Sequence, residues 1–532
     1  GLRQRQHALR CPVDVDIGSR VEHFRPKRRV LPFAFLLGEK GGLALSDYFL
    51  WTKDRTRTLL YLTGMAFLVS ALAFVNCYPF VYSDTGTYIR CAFTLLPAPD
   101  RPIGYSFIIR AVTWQSTLWT VVLFQGGMFA WLLYEILKRV LPVGAPVRKV
   151  HLIVTAVLMV TSSMPWYMAQ IMPDALTPLI VMILYLLLFG GVVGLGRSVF
   201  LWSCLFFFLL AHFSHVAMTL LLLVLLAAHR SLWSANRYGK AFWFRWRGVL
   251  ATVLACVVFA SWYNGRHGLR PVFSPSSNVF LAGKLCQGDV MRSFLDAHCG
   301  DKDYPLCPYK DELPDIPGNI IWPENSVLNR MHLDIASADT VLAPLIHDVL
   351  LDPASLAMFL RTGIIDTFKQ FFQINAGSGL ISYHTDSAPY NEIRTHLPWE
   401  RTSYITSRQA YNGWNFELLN IVVHLVFLLS LVVIGLLWGQ AKANKPLLQV
   451  AVLFLAIAGV VRKIAQVVLD LEGKAQQIAK ALNPRRVGHP ARSDDQSQLG
   501  GPDHPHPRGL LQRHAHVVRL AQTGNIGVTQ AQ

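Results

Sequence analysis

The chain has 532 residues, of which 52% are hydrophobic and only 15% are charged, and its mean hydropathy is +0.35. A water-soluble protein of this length does not carry that balance, so the composition excludes an ordinary soluble enzyme. The net charge of +17 could suggest a nucleic-acid partner, but Lys and Arg lie mainly in short loops beside apolar blocks and at the two ends. Such loops report membrane orientation, so we predict an integral membrane protein that binds no nucleic acid.

Apolar blocks of about 15 to 22 residues recur along the chain, which is the length that a helix needs to cross a bilayer. The predicted fold class is therefore an all-α polytopic membrane protein. We expect residues 1–57 to be a poorly ordered, basic cytoplasmic segment, 58–263 to be a transmembrane core, and 416–461 to be C-terminal transmembrane helices. Nine spans are predicted, at 59–77, 118–137, 150–164, 175–195, 199–212, 214–228, 248–263, 417–438 and 447–461. The alternative for 199–228 is one long tilted helix, which would invert every later span.

The basic loops at 138–149 and 230–247 are expected to be cytoplasmic. This orientation places residues 78–117, the turn at 165–174, the turn at 212–215 and a domain at 264–415 on the outer side. We predict helices at 326–349 and 353–374 in that domain. Two of its three cysteines, Cys286, Cys299 and Cys307, could pair in an oxidising compartment. The tail at 462–532 has no hydrophobic period, and we expect it to be disordered.

The most informative stretch follows the first predicted span, and it reads Tyr82-Ser83-Asp84-Thr85-Gly86-Thr87-Tyr88 and then Asp100-Arg101-Pro102-Ile103-Gly104-Tyr105. It sets a carboxylate and a guanidinium at the membrane interface. A carboxylate can take a proton from an attacking hydroxyl or hold a metal, and a guanidinium can grip a phosphate with two hydrogen bonds. The alternative is that Asp84 caps the next helix and Arg101 meets lipid headgroups.

Three further residues are expected on the same side. Asp174 begins the fourth span, where it either caps the helix or marks a functional cavity. His212 and His215 share one helical face or one tight turn, so they could contact a phosphate or relay a proton. The alternative is a pair of buried neutral histidines. A cluster in the outer domain is predicted to be a solvated loop; it comprises His384, Asp386, Glu392 and Arg394.

The arrangement of these loops resembles the GT-C class of membrane glycosyltransferases over about residues 58–460. The resemblance is carried by Ser83-Asp84 and Tyr88 in the first outer loop, the Arg101-Pro102-Ile103-Gly104-Tyr105 turn, Pro173-Asp174 in the second outer loop, and the late outer domain. It implies transfer of a sugar from a polyprenyl-phosphate carrier to a glycan or lipid acceptor. Unlike the family pattern, no Asp-Glu pair follows the first span, which leaves the metal dependence open.

The resemblance also implies roles for single residues. Asp84 would be the general base or a metal ligand, and Asp174 would be the second catalytic acid. A divalent cation is the possible cofactor. The expected location is a bacterial inner membrane. The residues expected to bind substrate are Tyr88, Arg101, Tyr105, His212 and His215.

Two other functions compete with glycosyl transfer. A transporter or flippase for a lipid-linked or small polar substrate would place ionisable groups at mid-membrane and would show paired repeats. Here Glu135 lies near the cytoplasmic end of its span, and the other acids lie near the outer mouth. A non-catalytic assembly protein would have no cavity around Asp84 and Asp174.

Overall fold

The structure, a computed structural model, describes residues 45–190, 194–233, 240–372, 374–411 and 413–440. Over these residues the chain is all-helical, with two isolated β-bridges and no strand. The prediction of an all-α fold is therefore confirmed for the described part of the chain. The expectations for residues 1–44, for the span at 447–461 and for the tail at 462–532 lie outside the described residues.

Eleven helices form the first half of the described chain. They are α1 (Leu45–Val69), α2 (Ala71–Val75), α3 (Thr85–Thr94), α4 (Gly104–Thr113), α5 (Trp119–Val140), α6 (Val147–Thr161), α7 (Met164–Met168), α8 (Leu176–Phe189), α9 (Leu195–Leu210), α10 (Phe213–Trp233) and α11 (Lys240–Arg266). A short 3₁₀ helix, Pro173–Ala175, leads into α8.

Nine helices follow in the described second half. They are α12 (Ser277–Cys286), α13 (Val290–His298), α14 (Val327–Arg330), α15 (Ile335–Leu351), α16 (Pro353–Phe371), α17 (Ala388–His396), α18 (Arg401–Ile405), α19 (Arg408–Tyr411) and α20 (Glu417–Gln440). Short 3₁₀ helices lie at Cys307–Glu312, Pro317–Ile320 and Pro398–Glu400.

The predicted spans within the described residues fall on helices, although the first, at 59–77, is divided between α1 and α2. Few of these helices are long enough to cross a membrane alone. Only α5 and α11 have the length and apolar composition of a span among the described residues, and the bent pairs α9–α10 and α15–α16 would raise the number to four. The helix at the third predicted span, α6, has 15 residues. At 1.5 Å per residue it is about 22 Å long, which is short of the roughly 30 Å of hydrocarbon.

The region 199–228 forms two helices, as predicted. The chain bends by 120° between α9 and α10, so one long tilted helix is excluded. The break falls at Ala211 and His212, and the His215 N–H donates to the His212 carbonyl oxygen at 3.1 Å. The predicted tight turn with both histidines is therefore present.

The described chain has two large hydrophobic cores. The main core joins the helices from α1 to α11. It also includes residues of the segment 376–416, which we call the late segment, among them Leu380, Tyr390 and Ile393. The second core is formed by residues between 279 and 349. Residues 264–415 therefore contribute to both: the part through α15 has its own core, and the segment around α17 packs against the helices near α3.

The second core carries a disulfide between Cys299 and Cys307. Cys286 is buried in the same core and is a free thiol. The expectation that two of these three cysteines pair is confirmed. The helices predicted in this region are also present: α15 and α16 cover most of 326–349 and 353–374, with a short extra helix, α14, in front of them.

Two glycines allow backbone segments to approach near α3 and α4. A Cβ on Gly86 would lie 2.7 Å from the Ala388 carbonyl carbon at the start of α17. A Cβ on Gly104 would overlap the backbone of Leu210 at the end of α9. Both contacts are with backbone atoms, which cannot rotate away as a side chain can. These glycines therefore set how closely α3 and α4 approach the elements around them.

We expect Gly104→Ala to lower the free energy of unfolding by about 1–3 kcal/mol, because the added methyl group overlaps the backbone of α9 and forces α4 away from it. Gly196→Ala is the matched control, since no heavy atom lies within 4 Å of its added Cβ and alanine favours a helix. The unfolding temperature is measured in detergent as the temperature at which the buried free cysteines become reactive toward a thiol reagent. Equal unfolding temperatures for the two variants would contradict the tight α4–α9 contact.

Candidate functional site

The two predicted outer loops are joined directly. Phe80 and Gln170 form a parallel β-bridge, in which the Phe80 N–H donates to Ala169 and the Phe80 carbonyl accepts from the Ile171 N–H, both at 2.9 Å. The Thr85 hydroxyl also donates to the Ile171 carbonyl oxygen at 2.9 Å. These bonds bring the start of α3 beside the chain that leads into Asp174.

Asp84 and Arg101 form a nearly buried ion pair. The Arg101 Nη2 lies 2.6 Å from the Asp84 Oδ2, and the two side chains are 9% and 12% exposed. Asp84 occupies the N-cap position of α3, but its side chain makes no capping hydrogen bond. Asp100 lies on the same guanidinium at 3.7 Å. The alternatives of a routine helix cap and a lipid-facing arginine are therefore not supported.

Tyr88 is buried in α3, and its hydroxyl lacks a hydrogen-bond partner among the described residues. Burial raises the pKa of Tyr88 well above its usual value. The Arg101 charge opposes this increase, and the carboxylates of Asp84, Asp174 and Asp100 add to it. The hydroxyl thus stays protonated at neutral pH and lies within electrostatic range of all four charged groups. An unsatisfied buried hydroxyl costs about 1–3 kcal/mol, so this one calls for an explanation.

Tyr105 supports Tyr88 from α4. Their rings meet edge to face with centroids 5.2 Å apart. The Tyr105 hydroxyl donates to the Gln125 side-chain oxygen at 2.7 Å, and the Gln125 amide donates to the carbonyls of Met168 and Gln170. The Tyr105 hydroxyl is therefore engaged within the protein, and its ring positions Tyr88.

Asp174 is buried in the 3₁₀ turn before α8. The N-cap residue of that turn is Met172, so Asp174 is a first-turn acid and not the cap itself. Its charge acts on the hydroxyls of both Tyr88 and Tyr105. The second predicted acid therefore lies near the same tyrosines as Asp84.

The two histidines differ in what they can contact. His215 is buried, and its ring nitrogens meet the Phe208 carbonyl at 2.7 Å and the Thr177 hydroxyl at 3.0 Å. A carbonyl only accepts, so Nδ1 carries the proton, and Nε2 accepts from Thr177. His212 is half-buried, uses Nδ1 toward Ser214, and lies within electrostatic range of Arg101. His212 is thus the histidine near the ion pair, whereas His215 ties α10 to α8.

The described residues do not fit a divalent cation. No group of three His, Cys, Asp or Glu side chains is placed to hold a metal ion in the part of the chain that the structure describes. The Asp84 carboxylate is also paired with Arg101, whose positive charge repels a cation. We therefore derive no step through a metal.

A cleft of about 430 Å³ lies between the loop that precedes Arg101 and the second core. Its wall includes Pro99, which immediately precedes Asp100 and Arg101, together with Trp322, Asn329 and Asp334 near the second core. The Ser276 hydroxyl donates to the Pro99 carbonyl at 2.7 Å and fixes this loop to the start of α12. The cleft thus joins the ion-pair loop to the predicted outer domain.

Glu400 is a buried acid that the sequence analysis missed. Its carboxylate accepts hydrogen bonds from the Tyr78 hydroxyl at 2.6 Å, the Thr117 hydroxyl at 2.5 Å and the Leu118 N–H at 3.2 Å. It therefore fastens the late segment to the N-terminus of α5, where the helix dipole favours negative charge. The only signal in the local sequence was that Glu400 follows Pro398-Trp399. Proline followed closely by an acid is common in the first turn of a helix, so this pattern did not indicate a long-range contact.

The cluster of charged residues around α17 is mostly solvated, as predicted, but the predicted loop is wrong, because Glu392 and Arg394 lie on the helix α17. His384, Asp386 and Arg394 are exposed, and Glu392 pairs with His396 on the same helix at 3.3 Å. None of the hydrogen bonds or ion pairs described for these four residues reaches the Asp84 site.

Comparison of the chain with protein-family models, with curated proteins and with solved structures finds no match.

Proposed function

We propose that this chain is a polytopic membrane glycosyltransferase of the GT-C type, with about nine spans in a bacterial inner membrane. It would move a sugar from a polyprenyl-phosphate donor to a glycan or lipid acceptor on the extracytoplasmic face. The observation that carries the proposal is the Asp84–Arg101 pair together with the buried Tyr88 hydroxyl, which has no hydrogen-bond partner among the described residues.

The energetics of this cluster favour a ligand site over a structural one. A buried ion pair contributes little net stability, because removing two charges from water offsets their attraction. A buried hydroxyl without a partner adds a further cost. Buried polar groups that lack hydrogen-bond partners within the protein and lie near several carboxylates are typical of functional sites. A phosphate oxygen near Arg101 and Tyr88 would accept the missing hydrogen bond.

The chemistry assigns one step to each group. The acceptor hydroxyl transfers its proton to Asp84 while its oxygen forms a bond to the anomeric carbon of the donor sugar. The bond between that carbon and the phosphate oxygen breaks, and polyprenyl phosphate leaves with the electron pair. Arg101 and Tyr88 would stabilise the departing phosphate, which must share the guanidinium with Asp84. Asp174 would stabilise positive charge that develops on the sugar ring.

The surroundings support this division of roles. A polyprenyl chain dissolves in the bilayer, so its phosphate must be met at the interface. The cleft beside Pro99 offers the acceptor an approach from the second core, and the exposed face of Trp322 suits the apolar face of a sugar ring. The Cys299–Cys307 disulfide is consistent with an oxidising, extracytoplasmic location for that core.

Binding of sugar-free polyprenyl phosphate to the purified protein in lipid nanodiscs tests the proposal. We expect Arg101→Gln to weaken this binding by about 10-fold to 100-fold, because it removes charge-assisted hydrogen bonds worth about 1.5–3 kcal/mol. Arg90→Gln is the matched control, since Arg90 of α3 is exposed and makes no contact with Asp84 that the structure describes. Absence of binding to the unmodified protein, or equal weakening by both variants, would overturn the proposal.

A further inference from the structure

Helix α16 has an inner face that belongs to the second core. Met358 and Phe359 pack against that core. Asp366 forms an ion pair with Lys284 of α12 at 2.7 Å, and Thr362 contacts Gly288. These contacts fix which side of α16 points away from the domain.

The outer face of α16 is apolar and exposed. We call it the α16 stripe, and it consists of Leu356, Leu360, Ile364, Phe368 and, just beyond the helix, Phe372. Residues four apart lie on the same side of an α-helix, so the five side chains form one continuous row. Ile364 is 72% exposed and Phe368 is 69% exposed. A row of large exposed side chains marks an interaction surface.

The α16 stripe adjoins a second exposed apolar surface, on α20. The Ala376 N–H, just after the stripe, donates to the Asn420 side-chain oxygen of α20 at 2.5 Å. Gly377 also contacts the ring of Phe416, at the residue before α20 begins. The apolar side chains of α20 that are exposed include Leu418, Ile421, Leu425, Leu428 and Val432. The chain that follows the stripe is thus fastened to a helix that we expect to cross the membrane.

The charges of α16 favour lipid over another apolar partner. Arg361 and Lys369 are exposed on the same helix as the stripe. An apolar row combined with basic residues is the pattern of helices that lie in the membrane interface, where the cations meet lipid phosphates. A protein–protein contact of this size would instead tend to exclude lysine from its centre.

We propose that α16 is an interfacial helix that rests on the outer leaflet of the bilayer, with acyl chains against the α16 stripe and lipid phosphates at Arg361 and Lys369. The second core is then held against the membrane at α16 as well as through α11 and α20. This anchoring does not depend on any transfer activity.

Spin labels test the proposal in the full-length protein reconstituted in phospholipid vesicles. Labels are placed singly at Leu360→Cys, Ile364→Cys and Phe368→Cys, in a background that carries Cys11→Ser and Cys77→Ser. Cys77 is the one exposed free cysteine among the described residues, and Cys11 lies outside them. Asp311→Cys, an exposed position in the same domain, is the matched control. Collisions with oxygen, which concentrates in the bilayer, are compared with collisions with a water-soluble nickel chelate.

We expect the oxygen-to-nickel collision ratio to be severalfold higher at all three stripe positions than at Asp311. A ratio equal to that of Asp311 would mean that the stripe faces water, and it would overturn the proposal. Low collision rates with both reagents, together with dipolar broadening between labels, would mean that a second copy of the chain covers the stripe, which would also overturn it. Each of these substitutions is at an exposed position, so the fold is expected to persist.

Discussion

Asp84→Asn is expected to lower sugar transfer by about 10²-fold to 10⁴-fold, the usual contribution of a general base. Asparagine keeps the shape of the side chain but cannot take a proton from the acceptor hydroxyl. The rate would be measured with the protein in lipid vesicles, a polyprenyl-phosphate sugar donor and a soluble glycan acceptor. Because donor binding depends mainly on Arg101, affinity for polyprenyl phosphate should fall much less than the rate.

Asp100→Asn is the matched control for this variant. It makes the same chemical change in a carboxylate that faces the same guanidinium, but at 3.7 Å instead of 2.6 Å. We expect it to retain most of the transfer rate. Full activity in a folded Asp84→Asn protein would refute the assigned role of Asp84, and an equal loss in both variants would show that only the charge around Arg101 matters.

Glu400→Ala is expected to destabilise the protein by about 2–5 kcal/mol, because it leaves the Tyr78 hydroxyl and the Leu118 N–H buried without their acceptor. The loss should be local at first, since Glu400 holds the late segment against α5. Limited proteolysis and hydrogen exchange over residues 376–416 would measure this opening.

The control for this variant is Glu392→Ala on α17. Glu392 belongs to the same segment, but it is half-buried and its described ion pair is with His396, four residues along its own helix. Pairs of this kind contribute only about 0.3–0.5 kcal/mol. If both variants leave residues 376–416 equally protected, Glu400 does not anchor the segment.

The local sequence determined which parts of the chain form helices. The predicted spans within the described residues are helical, because apolar blocks and the polar breaks between them are local features. The break between α1 and α2 within 59–77 was not predicted. The turn at His212 was also readable, since a polar His-Phe-Ser-His run interrupts two apolar blocks. The number of crossings was not readable in the same way. The block at 59–77 is divided between α1 and α2, and α6, although it is as long as its predicted block, has only 15 residues and is too short to cross alone.

Part of the candidate site could also be predicted. Asp84, Tyr88, Arg101 and Tyr105 lie close together in sequence, and a return of the chain after α3 is enough to bring them near one another. Their different tasks could not be predicted. Tyr105 bonds to Gln125 of α5, whereas the Tyr88 hydroxyl meets no described partner, and that difference depends on which helix packs beside each ring.

The sequence by itself determined an all-helical, strongly apolar chain with chemically capable side chains in two loops between apolar blocks. Only the tertiary structure decided that the two loops join through Phe80 and Gln170, and that Glu400 bonds to Tyr78 across 322 residues. It also decided that one face of α16 is left exposed. The physical reason is that helix formation follows from the periodicity of neighbouring residues, whereas long-range hydrogen bonds and burial depend on how the completed helices pack.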